Sequence, residues 1–178
     1  MTTGGRQRRR LTATETDLGV VRQRAYLVSV IAGGITDHEA ELSIDELGRL
    51  TLTAGSDPEG EAVLRRDRID PATFIGKGQA QRLQRETTAA DVDVVVFDNA
   101  LSPIQQRNLQ EIFGCDVVDR TAVILDIFAQ HATSKAGMLQ VELAQLRYRL
   151  PRLRGRGIAM SRLAGGIGTR GPGETKLE

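Results

Sequence analysis

The chain has 178 residues, a formal net charge of +1, 40% hydrophobic residues, only 3% aromatic residues and no Trp. A chain of this length buries roughly 70% of its unfolded surface, and with so few rings the core must be aliphatic, as in Val/Ile/Leu-rich α/β proteins. No apolar run reaches the length of a membrane span, no apolar leader opens the chain, and Cys115 has no second cysteine to pair with, which suits a reducing cytoplasm.

Residues 1–24 are polar and carry Arg6, Arg8, Arg9 and Arg10. They read as a flexible basic arm, with a weak nucleic-acid contact as the sharper alternative. Tyr26–Ile31 is a nearly continuous apolar run ending at Gly33-Gly34, the pattern of a strand buried on both faces. Ser43-x-x-Glu46 spells a capping box before a short helix containing Leu47 and Leu50, closing near Gly55. Eight acids against one Arg between Asp37 and Glu61 make an acidic, solvated face.

Ala62–Leu64 reads as a second, short strand. Gly76 and Gly78 then flank Lys77 just before a helix over Gln79–Ala90. Glycines allow close backbone approach and a helix N-terminus offers free N–H groups to an anion, although such a turn is often only a turn. Val92–Phe97 is the clearest strand, stopped by Asp98-Asn99. Ser102 with Pro103 behind it starts a helix that ends at Gly114, and Cys115–Val118 forms a further strand. Cys115, beside Val117 and Val118, reads as a core thiol rather than a nucleophile. This alternation implies an α/β domain over 25–119, a parallel sheet of about four strands flanked by helices. Ligands of such sheets sit beyond the strand C-termini, the edge shared by the loops at Gly33–Asp37, Asp98–Ser102 and Asp119–Thr121.

After Asp119 the period becomes helical. Val123, Ile124, Ile127, Phe128 and His131 share one stripe, and Leu139, Leu143, Leu146 and Leu150 continue it to Pro151, with Gly137 as a kink between two helices. Residues 120–178 are therefore expected to be a long-helix subdomain ending in an Arg/Gly-rich loop. From Leu143 to Gly173 there are seven arginines, Arg147, Arg149, Arg152, Arg154, Arg156, Arg162 and Arg170, and no acid. Gly166-x-Gly168-x-x-Gly171 spells a dinucleotide fingerprint but follows no strand, and Gly168-x-x-x-x-Gly173-Glu174-Thr175 puts a carboxylate where a P-loop needs Lys. No zinc pattern or nucleophile elbow is present, so no catalytic or metal-binding residue is assigned. Arg forks bind phosphates and stack on bases, which favours structured RNA, contacted through these arginines and Gly165, Gly166, Gly168 and Gly171; a solvated linker is the alternative on composition alone.

Several long motifs stand in fixed order: Gly76-Lys77-Gly78, Leu101-Ser102-Pro103 with Gln105–Leu109, Asp119-Arg120-Thr121, Ile124–Gln130, Gln140–Leu146, Pro151-Arg152-Leu153 and Gly165–Thr175. From Tyr26 to Glu178 the chain resembles the N-terminal part of HflX-type GTPases. The resemblance implies an α/β domain, a long-helix subdomain and then a GTPase domain, of which the last has no motif here. It also implies binding to the large ribosomal subunit, with the loop at Pro151–Gly173 reaching ribosomal RNA, and support for splitting or rescue of stalled ribosomes under stress. GTP and Mg2+ would belong to the GTPase domain. The alternatives are an ATP- or GTP-binding α/β module with weak hydrolysis, using Gly76, Lys77, Gly78, Asp119 and Arg120, or a truncated homologue without function. A cytoplasmic monomer is expected, except that a homologue without function would self-associate through the stripe of Leu139, Leu143, Leu146 and Leu150.

Overall fold

The computed structural model describes residues 22–163. The first strand, β1 (Gln23–Ala32), is followed by α1 (Asp37–Thr53), β2 (Ser56–Arg66), α2 (Lys77–Ala89), β3 (Val94–Phe97), α3 (Pro103–Phe113), β4 (Asp116–Asp119), α4 (Arg120–His131) and α5 (Lys135–Leu163). The four strands form one sheet in the order β2-β1-β3-β4, every neighbouring pair parallel. The strand order reverses between β1 and β3, which makes the fold doubly wound.

Alternation along the strands sorts the apolar residues into two layers. On one face Val28, Val30, Val95, Phe97 and Val117 pack against Ala80 and Leu83 of α2 and Leu109 and Phe113 of α3. On the other, Ala25, Leu27, Val94 and Val96 pack against Ile44 and Leu47 of α1 and Val123 of α4. All four residues of β3 are buried, as a central parallel strand covered on both faces requires. Aliphatic side chains supply most of this core, with Phe74 meeting Phe97 edge-to-face at 6.4 Å.

Local chemistry moves several expected boundaries. α1 starts at Asp37, because Thr36 and Glu39 exchange the two capping-box bonds, at 3.3 and 2.8 Å. Ser43 therefore lies inside the helix and its hydroxyl is used elsewhere. β2 has 11 residues rather than three. Its partner register steps from Ala25↔Pro58 to Tyr26↔Gly60, leaving Glu59 as the bulged residue. An edge strand tolerates Pro58, and Gly60 lets the Tyr26 ring lie so close that a Cβ there would stand 2.7 Å from it. The α4–α5 break falls at Ala132, before Ser134, whose hydroxyl accepts from the Gly137 N–H at 3.0 Å; Gly137 is in the first turn of α5 and marks no kink. α4, expected with the helical part, packs on the sheet through Val123 and Ile127.

The largest difference is in α5. It continues through Pro151 to Leu163, 29 residues or about 43 Å at the usual rise. Arg152, Arg154, Arg156 and Arg162 thus stand on helical backbone rather than in a loop. Arg170 and Gly165, Gly166, Gly168 and Gly171, like the basic arm, lie outside the described residues.

Candidate functional site

The C-terminal edge of the sheet, where a doubly wound fold would take a ligand, is occupied by the chain's own polar side chains. Asp98 leaves β3 at the reversal of strand order. Its Oδ1 accepts from Arg120 Nε at 2.8 Å, and its Oδ2 accepts from the hydroxyls of Ser43, at 2.6 Å, and Ser29, at 3.3 Å. Arg120 also donates to the Ser43 carbonyl and to Glu46, tying the first turn of α4 to α1. Asn99 exchanges two hydrogen bonds with the Val30 backbone, at 2.8 and 3.0 Å, and so extends β1 by a side-chain pairing. This half-buried network ties β1, β3, α1 and the start of α4 together across the crevice between β1 and β3.

A second hub lies one strand over. Asp119 is 1% exposed. One of its oxygens caps α4 through the Ala122 N–H at 3.1 Å and accepts from the Tyr148 hydroxyl at 2.9 Å; the other accepts from the Leu101 N–H at 3.0 Å. Arg152 of α5 donates to Gln106, at 2.6 Å, to the Leu101 carbonyl, at 2.7 Å, and to the Tyr148 carbonyl, at 2.9 Å, and its guanidinium lies 3.6 Å over the Tyr148 ring. Burial pushes the Tyr148 phenol up and the Asp119 carboxylate adds to it, so the hydroxyl stays a donor.

The Gly76-Lys77-Gly78 turn sits on the same edge but belongs to a different cluster. Gly76 holds φ at +80°, with the Arg66 guanidinium 3.1 Å from where a Cβ would be. The loop before it is locked by Asp70, which accepts from the Ala72 and Thr73 N–H groups and pairs in both directions with the Phe74 backbone. The Thr73 hydrogen bonds hold the Asp70 carboxyl below its ordinary range. The N-cap Gly76 leaves the first turn of α2 without a side-chain cap, and Lys77 is exposed. The five residues expected to hold a nucleotide therefore divide. Gly76, Lys77 and Gly78 surround the start of α2, while Asp119 and Arg120 bond to α1, α5, Asp98 and the Leu101 N–H ahead of α3.

Of the arginines, Arg147 and Arg149 are exposed on α5 and Arg152 is turned inward. Beside Arg149 a cleft of about 370 Å³ separates the outer edge of β4 from α5, bounded by Gln106, Val117, Asp126 and Tyr148. Burial raises the Asp126 carboxyl, against opposing contributions from Gln130 and Arg149. Among the described residues no group of His, Cys, Asp or Glu could hold a metal ion, and no helix is long and apolar enough to cross a membrane. No Gly-x-x-x-x-Gly-Lys sequence occurs in residues 22–163 either, so these residues contain no P-loop. Sequence reasoning took Ser43 for a helix cap and Asp98 for part of an edge loop, and gave no role to the Gln106 or Tyr148 side chain. Only Asp98 had a visible signal, its position at the end of the clearest strand.

Fold and site together define a doubly wound α/β module whose last helix carries a cationic extension. Residues 41–129 match the family model described as GTP-binding GTPase N-terminal, and residues 131–178 match GTP-binding GTPase Middle Region. The chain belongs to the HflX family of GTPases. It is 48% identical over 157 residues to a GTPase HflX of Caldanaerobacter subterraneus, covering 88% of this chain and 36% of that protein. The Escherichia coli K12 GTPase HflX is 45% identical, with 88% and 36% covered. The chain thus spans about a third of the length of these relatives. A GTP-binding protein from Sulfolobus solfataricus, solved with GDP, shares the fold at a TM-score of 0.55 and 21% identity, over 80% of this chain and 42% of that one.

Proposed function

We infer that this chain is the ribosome-binding part of an HflX GTPase, contacting large-subunit ribosomal RNA through its cationic C-terminal third and supporting the splitting or rescue of stalled ribosomes. The observation that carries this reading is the segregation of charge. Seven arginines and no acid lie between Leu143 and Gly173 in a chain whose net charge is +1. The long helix that carries the first part of this segment is anchored to the α/β layers by the Asp119 hub, which gives that part a fixed base. Such a surface fits phosphate-rich, structured RNA, recognised by shape and backbone charge. The small aromatic content argues against a stacking platform for single strands.

Co-sedimentation with large ribosomal subunits tests it. Wild type is expected to pellet with the subunits and to be released by added salt. Replacement of Arg154, Arg156, Arg162 and Arg170 by Ala should abolish the association; equal, salt-insensitive binding by both proteins refutes the reading. Nucleotide binding at the α/β layers is the second reading, favoured by the uncapped start of α2 beside Lys77. Calorimetric titration of ATP and GTP into wild type and Lys77→Ala decides it, and identical isotherms end it.

A further inference from the structure

Pro151 stands inside α5, where its ring removes an amide donor and crowds the preceding turn, so the two halves of the helix can bend against each other. Tyr148 lies three residues before it and Arg152 one residue after. Both reach the same carboxylate, buried on a different element. The Tyr148 hydroxyl donates to Asp119 Oδ1 at 2.9 Å, and Arg152 Nη2 is 3.6 Å from Asp119 Oδ2. The Arg152 fork continues into the α/β layers through Gln106 and the Leu101 carbonyl, and Gln106 in turn donates to the Val117 carbonyl of β4 at 2.7 Å. The Arg152 side chain is 19% exposed and engaged through all three of its nitrogens, whereas Arg147 and Arg149 on the same helix face solvent.

We propose that Asp119, Tyr148 and Arg152 form a clamp across Pro151 that sets the direction in which α5 leaves the α/β layers, and that Arg152 is a positioning residue rather than a phosphate contact. Without the clamp, the half of α5 beyond Pro151 would have to be ordered anew at each encounter with a partner. With it, that ordering is already present in the folded chain. The consequence for binding rests on the RNA-binding reading, but the clamp itself does not.

The test uses the chain free in solution, with Cys115→Ala and spin labels at positions 81 on α2 and 160 on α5. A single narrow distance distribution is expected. Tyr148→Phe, which removes only the hydroxyl, and Arg152→Gln should each broaden it. Adding Pro151→Ala to Tyr148→Phe should narrow it again, because a straight helix needs no clamp. In large-subunit binding both clamp variants should weaken affinity while leaving its salt dependence unchanged. A phosphate contact at Arg152 would instead lower the log–log salt slope by about 0.7–0.9. An unchanged distance distribution in Tyr148→Phe overturns the clamp, as does a flattened salt slope in Arg152→Gln with normal binding by Tyr148→Phe. If wild type itself does not bind subunits, the RNA-binding reading fails while the distances still decide the clamp.

Discussion

β3 and α5 use apolar residues in opposite ways. Val94, Val95, Val96 and Phe97 are at most 2% exposed, closed over by helices on both faces. Leu139, Leu143, Leu146, Leu150 and Leu153 of α5, spaced by alternating steps of four and three, are 48–59% exposed. That spacing is the seam of a coiled coil, and about half of each side chain is left in solvent. The α/β layers therefore complete their own core, whereas α5 is held to them largely by polar contacts at Tyr148 and Arg152. Stability should reside in the first region and orientation of the basic segment in the second.

Breaking the core should have the largest effect. Phe97→Ala is expected to cost about 3–5 kcal/mol in denaturant unfolding, since a fully buried ring leaves a cavity on a rigid sheet. Asp98→Ala should come next, at about 3 kcal/mol, because it leaves the Arg120 guanidinium and two hydroxyls without their shared acceptor. Ser102→Ala removes the capping-box acceptor of α3 and should cost about 1 kcal/mol by the same measurement. On α5, Leu146→Ala should lie within about 0.5 kcal/mol of wild type, since its side chain is already half in water. A cost on α5 equal to that at Phe97 would erase the contrast between the two regions.

A pH titration sharpens the same contrast at the rim of the core. Burial, and then the neighbouring Asp116 and Asp93 carboxylates, push the Cys115 thiol from 9.0 to about 11. The folded state thus holds the thiol proton more tightly than the unfolded one. Its contribution to stability is complete below pH 9.0 and is lost as pH rises towards about 11. Wild type should lose more stability over that range than Cys115→Ala, and at neutral pH the thiol should react slowly with alkylating reagents.

The sheet was legible because its signals are local. A VVVF run stopped by Asp98-Asn99, and Ser102-Pro103 before a helix closed by Gly114, each name their element. β2 was cut short because Pro58 and Gly60 look like breakers until the edge position and the bulge at Glu59 are known. The competing Ser43-x-x-Glu46 pattern hid the true cap at Thr36, since both spell the same box and only packing chooses between them. α5 was ended at Pro151 because local rules favour a stop there, whereas the helix passes through it, with Tyr148 before the proline hydrogen-bonded to Asp119 and Arg152 after it ion-paired with the same carboxylate. The two hubs were the least legible feature. Asp98 meets Ser43 across 55 residues and Arg152 meets Gln106 across 46, and no local pattern links such pairs.

The proposed binding of large-subunit RNA by the basic C-terminal third rests on charge. The most direct measurement is the affinity of the chain for purified large ribosomal subunits as a function of monovalent salt. Binding by charge gives a steep linear fall of log affinity with log salt, losing about 0.7–0.9 of slope for each phosphate-contacting arginine replaced among Arg147, Arg149, Arg154, Arg156, Arg162 and Arg170. A flat salt dependence, or a slope that these replacements leave unchanged, would contradict it.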